Sequence, residues 1–141
     1  MPFKVSDYEN TLRLLLEEDI NVIPHICVGL DRGKIVGEYN AIEILKRFPI
    51  RSLTLLVLIK NELEKNFTVN YDFNGIMDFF VYVRKSFPNE ILSLGCMRPR
   101  VKELDASALL FDNIAYPTKN MIKLIRNQGD MGIRNICCSM C

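Results

Sequence analysis

Residues 53–59 read Leu-Thr-Leu-Leu-Val-Leu-Ile in this 141-residue chain. A nearly uninterrupted aliphatic run predicts a strand buried on both faces, which is typical of parallel sheets. Three further strands are predicted, over residues 22–29, 91–94 and 113–116. Pro24 falls near the start of the first of them, where a strand tolerates proline.

Helical patterns alternate with these strands. They are marked by hydrophobic residues at helical spacing, by capping residues at their starts, and by Pro or Gly at some ends. We predict helices from Ser6 to near Asp19, with a Ser6–Glu9 capping box, from Glu38 to Phe48, from the cap Asp72 to before Pro88, from Glu103 to Leu110, and from the cap Thr118 to before Gly129. The order is one helix followed by four β/α repeats, which predicts a parallel sheet covered by helices.

Two architectures fit four β/α units: a small open doubly wound sheet, or half of an eight-stranded barrel. A complete barrel needs about 200 to 250 residues, more than this chain has. Periodicity alone does not choose between the two. In both, functional groups are expected in the loops that follow the strands, here residues 29–37, 60–70, 95–102 and 117–118.

Composition and charge exclude some classes of partner. The chain has 18 basic and 17 acidic residues, a net charge of +1 and no basic stripe, so nucleic acid is not an expected partner. No apolar run is long enough to cross a bilayer, and the N-terminus lacks a signal-peptide stretch, so we expect no membrane association and a cytoplasmic location. We assign residues 1–130 to one domain and 131–141 to a cysteine-rich tail.

The loop from Gly33 to Gly37 follows a predicted strand and opens a helix. Its two glycines allow a tight turn and close approach of the backbone to a ligand. The following helix N-terminus offers unpaired N–H groups. The loop matches neither the Rossmann nor the Walker pattern, and it is also compatible with an ordinary strand-to-helix turn.

Three other side chains are candidates for contacting a substrate. Arg98 and Arg100 flank a proline just beyond a strand, where guanidinium groups can clamp a carboxylate or phosphate; surface ion pairs are the alternative. His25 is the only histidine. It is either a substrate contact or a hydrogen-bonded residue of the sheet.

Five cysteines and no secretion signal favour reduced thiols. Cys137, Cys138 and Cys141 form a Cys-Cys-x-x-Cys pattern, and thiolates so spaced can hold an iron–sulfur cluster or zinc. The alternative is a tail with free thiols.

The loop after the first strand resembles the Gly-x-Ile-x-Gly-x-x-Glu motif of radical S-adenosylmethionine (SAM) enzymes. Gly33, Ile35 and Gly37 match it, while Asn40 stands where the family often has glutamate. Residues 24–39 (PHICVGLDRGKIVGEY), 94–100 (LGCMRPR) and 114–117 (IAYP) together resemble archaeal radical SAM proteins related to biotin synthase and lipoyl synthase, in the same order. The resemblance covers roughly residues 5–128.

The resemblance implies a parallel (β/α)4 half barrel, the second half of a TIM-like radical SAM barrel. It places SAM at Gly33, Ile35, Gly37 and Asn40, and substrate at Arg98, Arg100 and His25. The chemistry implied is reductive cleavage of SAM to a 5′-deoxyadenosyl radical, which abstracts hydrogen from a substrate.

The family's Cys-x-x-x-Cys-x-x-Cys motif does not occur in this sequence. The four-iron four-sulfur cluster is therefore expected on a missing N-terminal half or on a partner half-barrel chain, with self-association as another form of pairing. The alternatives are a non-catalytic module that binds a nucleoside or SAM or regulates a partner, and a degenerate gene fragment.

Overall fold

Five parallel strands form one sheet in the computed structural model, which describes residues 4–59, 68–128 and 132–134. The strands are β1 (His25–Val28), β2 (Ser52–Val57), β3 (Ile91–Leu94), β4 (Asn113–Ala115) and β5 (Gly132–Arg134). The helices are α1 (Val5–Glu17), α2 (Glu38–Leu45), α3 (Phe73–Ser86), a 3₁₀ helix (Lys102–Leu110) and α4 (Lys119–Gln128).

The strands follow one another across the sheet in chain order, β1-β2-β3-β4-β5, and every neighbouring pair is parallel. The predicted α/β class with a parallel sheet is confirmed. A doubly wound sheet reverses its strand order at a switch point, and the described strands contain no such reversal. Their winding is compatible with half of a β/α barrel.

From α2 onward, helices that follow one another along the chain pack side by side. α2 packs on β1 and α3, α3 packs on the 3₁₀ helix, and the 3₁₀ helix packs on α4. Within the described residues, no helix has the length and apolarity needed to cross a membrane.

The strand register separates an apolar face from a mixed face. Partners in a parallel pair lie on the same face, and successive residues alternate between faces. Ile26 pairs with Leu55, Leu55 with Leu94, and Leu94 with Ile114. These four side chains pack in or against the main core, together with helix residues such as Phe79. Burial of this row against the helices contributes to the fold's apolar stabilisation.

Helix caps explain where most helices begin. Asp72 accepts a hydrogen bond from the Gly75 N–H at 3.0 Å, and Thr118 accepts one from the Met121 N–H at 3.2 Å. Both predicted caps are confirmed. The capping box predicted at Ser6 is wrong, because α1 already begins at Val5. Its N-cap is Lys4, whose N–H donates to Asp7 at 2.9 Å.

Two other elements differ from prediction. The predicted helix 103–110 is a 3₁₀ helix, and inside it the Ser107 hydroxyl donates to the Leu104 carbonyl, a spacing of three residues that suits 3₁₀ geometry. β5 was not predicted as a strand: Gly-Ile-Arg is too short to carry a periodic signal, and pairing with β4 defines it.

Candidate functional site

The loop after β1 turns sharply at the carboxyl end of the sheet, the end where parallel α/β folds carry their active sites. The Gly33 N–H donates to the Gly29 carbonyl oxygen at 2.8 Å. φ is 79° at Gly29, 55° at Arg32 and 94° at Gly33. Left-handed backbone suits Gly29 and Gly33, and Arg32 adopts it as well. The tight turn therefore spans residues 29–33 and ends where the predicted loop, Gly33 to Gly37, begins.

Gly33 is required by the chain's own packing. A Cβ atom at this position would lie 2.7 Å from the Asn70 carbonyl oxygen and 2.9 Å from the Tyr71 Cα. The Gly33 carbonyl also accepts the Asp72 N–H at 3.1 Å, and Arg32 accepts the Asn70 N–H at 3.0 Å. The loop after β1 is thus joined to the segment that leads into α3.

Gly37 is different, because nothing lies within 4 Å of the position its Cβ would take. Its φ is −110°, which other residues also adopt. Neither strain nor internal packing explains a glycine here, so the open space beside its backbone is available to a ligand. Ile35 packs partly buried against the core, and Asn40 is exposed.

A cavity of about 590 Å³ lies beside Gly37, bounded by the start of α1, by β1 and by α2. Its lining includes Tyr8, His25, Cys27, Gly37 and Glu38. The structure therefore brings together two of the predicted site residues, His25 and Gly37. The lining of this cavity does not include Gly33, Ile35 or Asn40.

Glu38 is the buried charged group of this cavity, with 7% of its surface exposed. One carboxylate oxygen accepts the Val36 N–H at 2.8 Å. Among the described residues the other oxygen has no hydrogen-bond partner. Glu38 begins α2, where the helix dipole favours negative charge. A ligand hydroxyl or ammonium can donate to this carboxylate.

Cys27 shares the cavity. Its burial, and secondarily the Glu38 charge, raise the pKa of the Cys27 thiol. A thiol held protonated is a poor nucleophile. His25 is exposed, and its Nδ1 donates to the Ile23 carbonyl oxygen at 2.9 Å.

A second cavity, of about 390 Å³, lies at the opposite end of the sheet, between the end of α1 and residues 49–51. That end of a parallel β/α fold carries stability more often than chemistry. The cavity beside Gly37 is therefore the better candidate site.

A polar row crosses the sheet face opposite to the Leu55 row, and sequence reasoning missed it. His25 pairs with Thr54, Thr54 with Ser93, and Ser93 with Asn113. Thr54 and Ser93 are buried, and the Asn113 side-chain amide lies 3.4 Å from the Ser93 hydroxyl. One polar residue interrupting each aliphatic strand was the available signal. The row offers donors and acceptors for a neutral polar ligand.

Arg98 lies at the carboxyl ends of β3 and β4, only 2% exposed. Its guanidinium donates to the carbonyl oxygens of Gly95 at 2.6 Å, Ala115 at 2.8 Å and Tyr116 at 3.0 Å. Burial, and secondarily the Arg100 charge, lower the pKa of Arg98 to about 10, so it stays protonated at neutral pH. These contacts tie two strand ends together. A substrate contact at Arg98 stays a prediction.

Arg100 is exposed and donates to the carbonyl oxygens of Cys96 at 3.1 Å and Arg98 at 3.3 Å. Unlike Arg98, it has room to reorient toward a ligand. Its predicted role in substrate binding also stays a prediction.

The three C-terminal cysteines, Cys137, Cys138 and Cys141, lie outside the described residues. Within the residues that are described, no group of three or more His, Cys, Asp or Glu side chains is arranged to hold a metal ion.

The site and the strand order define a class: a parallel β/α sheet whose strands follow one another in chain order, with a cavity along its first strand. No protein-family model matches the sequence. No curated protein matches it either.

Proposed function

We propose that this chain supplies the SAM- and substrate-binding half of a cytoplasmic radical SAM enzyme. The cluster-bearing half would come from a partner chain with the three-cysteine motif, or from a missing N-terminal half. One observation carries the proposal: Gly37 of the family-like loop opens onto a cavity that runs along β1 to its carboxyl end, in a sheet whose strand order is compatible with half of a β/α barrel.

The residues of this cavity suit the nucleoside part of SAM. The open space at Gly37 allows close approach of a ligand to the backbone. The Glu38 carboxylate, with one oxygen without a partner among the described residues, can accept hydrogen bonds from ribose hydroxyls. Apolar lining from residues such as Ile44 and Leu45 suits a flat ring.

The chain's own contribution is binding and positioning. SAM, bound together with the reduced cluster of the other half, would supply hydrogen abstraction from the substrate. Gly37 and Glu38 would hold the nucleoside, and His25, which lines the same cavity, would contact a polar substrate. Arg98 keeps the carboxyl ends of β3 and β4 in place.

The test is co-expression with a candidate N-terminal half that carries Cys-x-x-x-Cys-x-x-Cys. We expect a stable complex that releases 5′-deoxyadenosine from SAM after reduction, while neither half does so alone. A Gly37→Val variant should still form the complex but release at least about tenfold less nucleoside, since its side chain fills the open space. Separate elution of the halves in gel filtration would refute the proposal.

A second candidate is a SAM- or nucleoside-binding module without radical chemistry. It is favoured because one cavity already combines the open space at Gly37 with the buried carboxylate of Glu38. Calorimetry of the iron-free chain with SAM decides: a Kd at or below about 10 µM, lost in Gly37→Val, supports the module. If the chain folds, binds no ligand and forms no complex, the degenerate-fragment alternative is favoured.

A further inference from the structure

The cavity of about 390 Å³ at the amino ends of the strands is separate from the candidate site beside Gly37. It lies between the end of α1, the segment that leads into β1 and the segment that leads into β2. The two cavities have no lining residue in common. The volume of this second cavity is in the range of small-molecule sites. A ligand can therefore occupy it independently of the proposed nucleoside site.

Two opposite charges stand on the wall of this cavity, the Asp19 carboxylate and the Arg51 guanidinium. Within the part of the chain that the structure describes, neither side chain has a hydrogen-bond or ion-pair partner, and the two do not pair with each other. Nearby, by contrast, Arg47 pairs with Glu9 at 2.9 Å. Unpaired charges of opposite sign around one small cavity suit a ligand that carries both charges.

Asp19 occupies a backbone position that usually belongs to glycine. The Ile20 N–H donates to the Leu15 carbonyl oxygen at 3.0 Å, and the Asp19 N–H donates to the Leu16 carbonyl oxygen at 3.1 Å. These two bonds form a Schellman motif, which ends a helix with one left-handed residue. That residue is Asp19, whose φ is 55°. The turn alone would be served better by glycine, which has no Cβ to oppose this conformation.

The charge of Asp19 is also unfavourable for α1. The carbonyl end of a helix carries a partial negative charge, which favours cations and disfavours a carboxylate. The last turn of α1 has no basic residue to offset it. The helix therefore does not explain why a carboxylate stands here, whereas an ammonium group in the cavity would interact favourably with both Asp19 and the helix end.

The rest of the cavity wall includes aliphatic surface from Leu16, Ile20, Val22 and Pro49. Ile20 is 48% exposed. A ligand with an aliphatic side chain would remove part of this surface from water, which is favourable. A metal ion or a simple anion would satisfy one of the two charges and leave the apolar surface uncovered.

We infer that this cavity binds a free α-amino acid with an aliphatic side chain. The ammonium group donates to Asp19, the carboxylate accepts from Arg51, and the side chain packs on Ile20 and Val22. Such a ligand links the end of α1 to the segment ahead of β2, so its binding stabilises the folded chain. The site does not depend on the proposed radical chemistry, because it shares no residue with the nucleoside cavity.

The test is an NMR titration of the whole chain with leucine. We expect saturable shifts of the Asp19, Val22 and Arg51 amides and a Kd below about 1 mM. Isocaproate, which is leucine without its amino group, and isoamylamine, which is leucine without its carboxylate, should each bind at least about tenfold more weakly. Leucine binding that is no tighter than that of these two probes would refute the site.

Charge variants identify the two ends of the ligand. Asp19→Asn and Arg51→Gln each remove one charge, and each should weaken leucine binding at least about tenfold. Glu18→Gln is the matched control, because it removes a carboxylate beside Asp19 that does not line the cavity, and it should bind leucine normally. If Asp19→Asn and Arg51→Gln both bind as the wild type does, the inference is wrong.

Asp19→Gly separates binding from folding. Since glycine suits a φ of 55°, the melting temperature of this variant should equal or exceed that of the wild type, while leucine binding falls at least about tenfold. A lower melting temperature together with unchanged leucine binding would show instead that the carboxylate serves the turn.

Discussion

The loops after β1 and β3 occupy equivalent places at the carboxyl end of the sheet but are built differently. The loop after β3 is closed by Arg98, whose guanidinium donates to the carbonyl oxygens of Gly95 just after β3, Ala115 of β4 and Tyr116 just after β4. The loop after β1 is fixed at Gly33 but left open at Gly37. The Arg98 charge is surrounded by main-chain acceptors, so it stabilises the fold. At Gly37 and Glu38, open space and a carboxylate oxygen remain for a ligand.

Removing the guanidinium of Arg98 should have the largest effect. Arg98→Met leaves three carbonyl oxygens without their donor, and we expect a loss of about 3 kcal/mol in the free energy of unfolding. Urea denaturation followed by circular dichroism measures it. Arg100→Met, whose donor contacts are exposed, should change stability by less than about 0.5 kcal/mol. Equal stability of the two variants would show that Arg98 is not structural.

Two separate alanine variants compare Gly33 with Gly37 in the loop after β1. Gly33→Ala should cost about 2 kcal/mol, because φ of 94° and the contacts with Asn70 and Tyr71 both oppose a side chain. Gly37→Ala should stay within about 0.5 kcal/mol of wild type, since its Cβ meets nothing. Thermal unfolding of both variants is the measurement. Comparable losses would mean that Gly37 is also held by internal packing.

Aliphatic runs and caps predicted most of the fold. Residues 53–59 carry a strong enough signal for a buried strand, and β2 occupies Ser52–Val57. Asp72 and Thr118 act locally, so their caps follow from neighbouring residues alone. The order of the strands in the sheet could be found only from the tertiary structure, because hydrophobic periodicity does not indicate which strands pair.

The site was less accessible to sequence reasoning. An arginine next to proline predicts an exposed loop. Arg98 is instead buried, and its guanidinium donates to carbonyl oxygens up to eighteen positions away in sequence. The polar row depends on register across four strands, which no local pattern fixes. Gly33 and Gly37 look alike in the motif, and only their surroundings distinguish a packing glycine from an open one.

The smallest expected effect concerns the chemistry of the open cavity. Burial and then the Glu38 charge raise the pKa of Cys27, so its alkylation by iodoacetamide should increase with pH only above the range of an unfolded thiol. Glu38→Gln removes one cause and should lower the midpoint, while Glu43→Gln on the same helix should not. Peptide mass spectrometry resolves Cys27 from the other thiols.

The same pKa shift fixes the sign of a stability change. As the pH rises, the unfolded chain releases the Cys27 proton first, near a pH of about 8.5. The folded chain keeps it to higher pH. The unfolded state therefore binds fewer protons in that window, and stability should fall as the pH rises through it. Glu38→Gln should weaken that fall; an unchanged alkylation midpoint in this variant would mean that the carboxylate does not act on the thiol across the cavity.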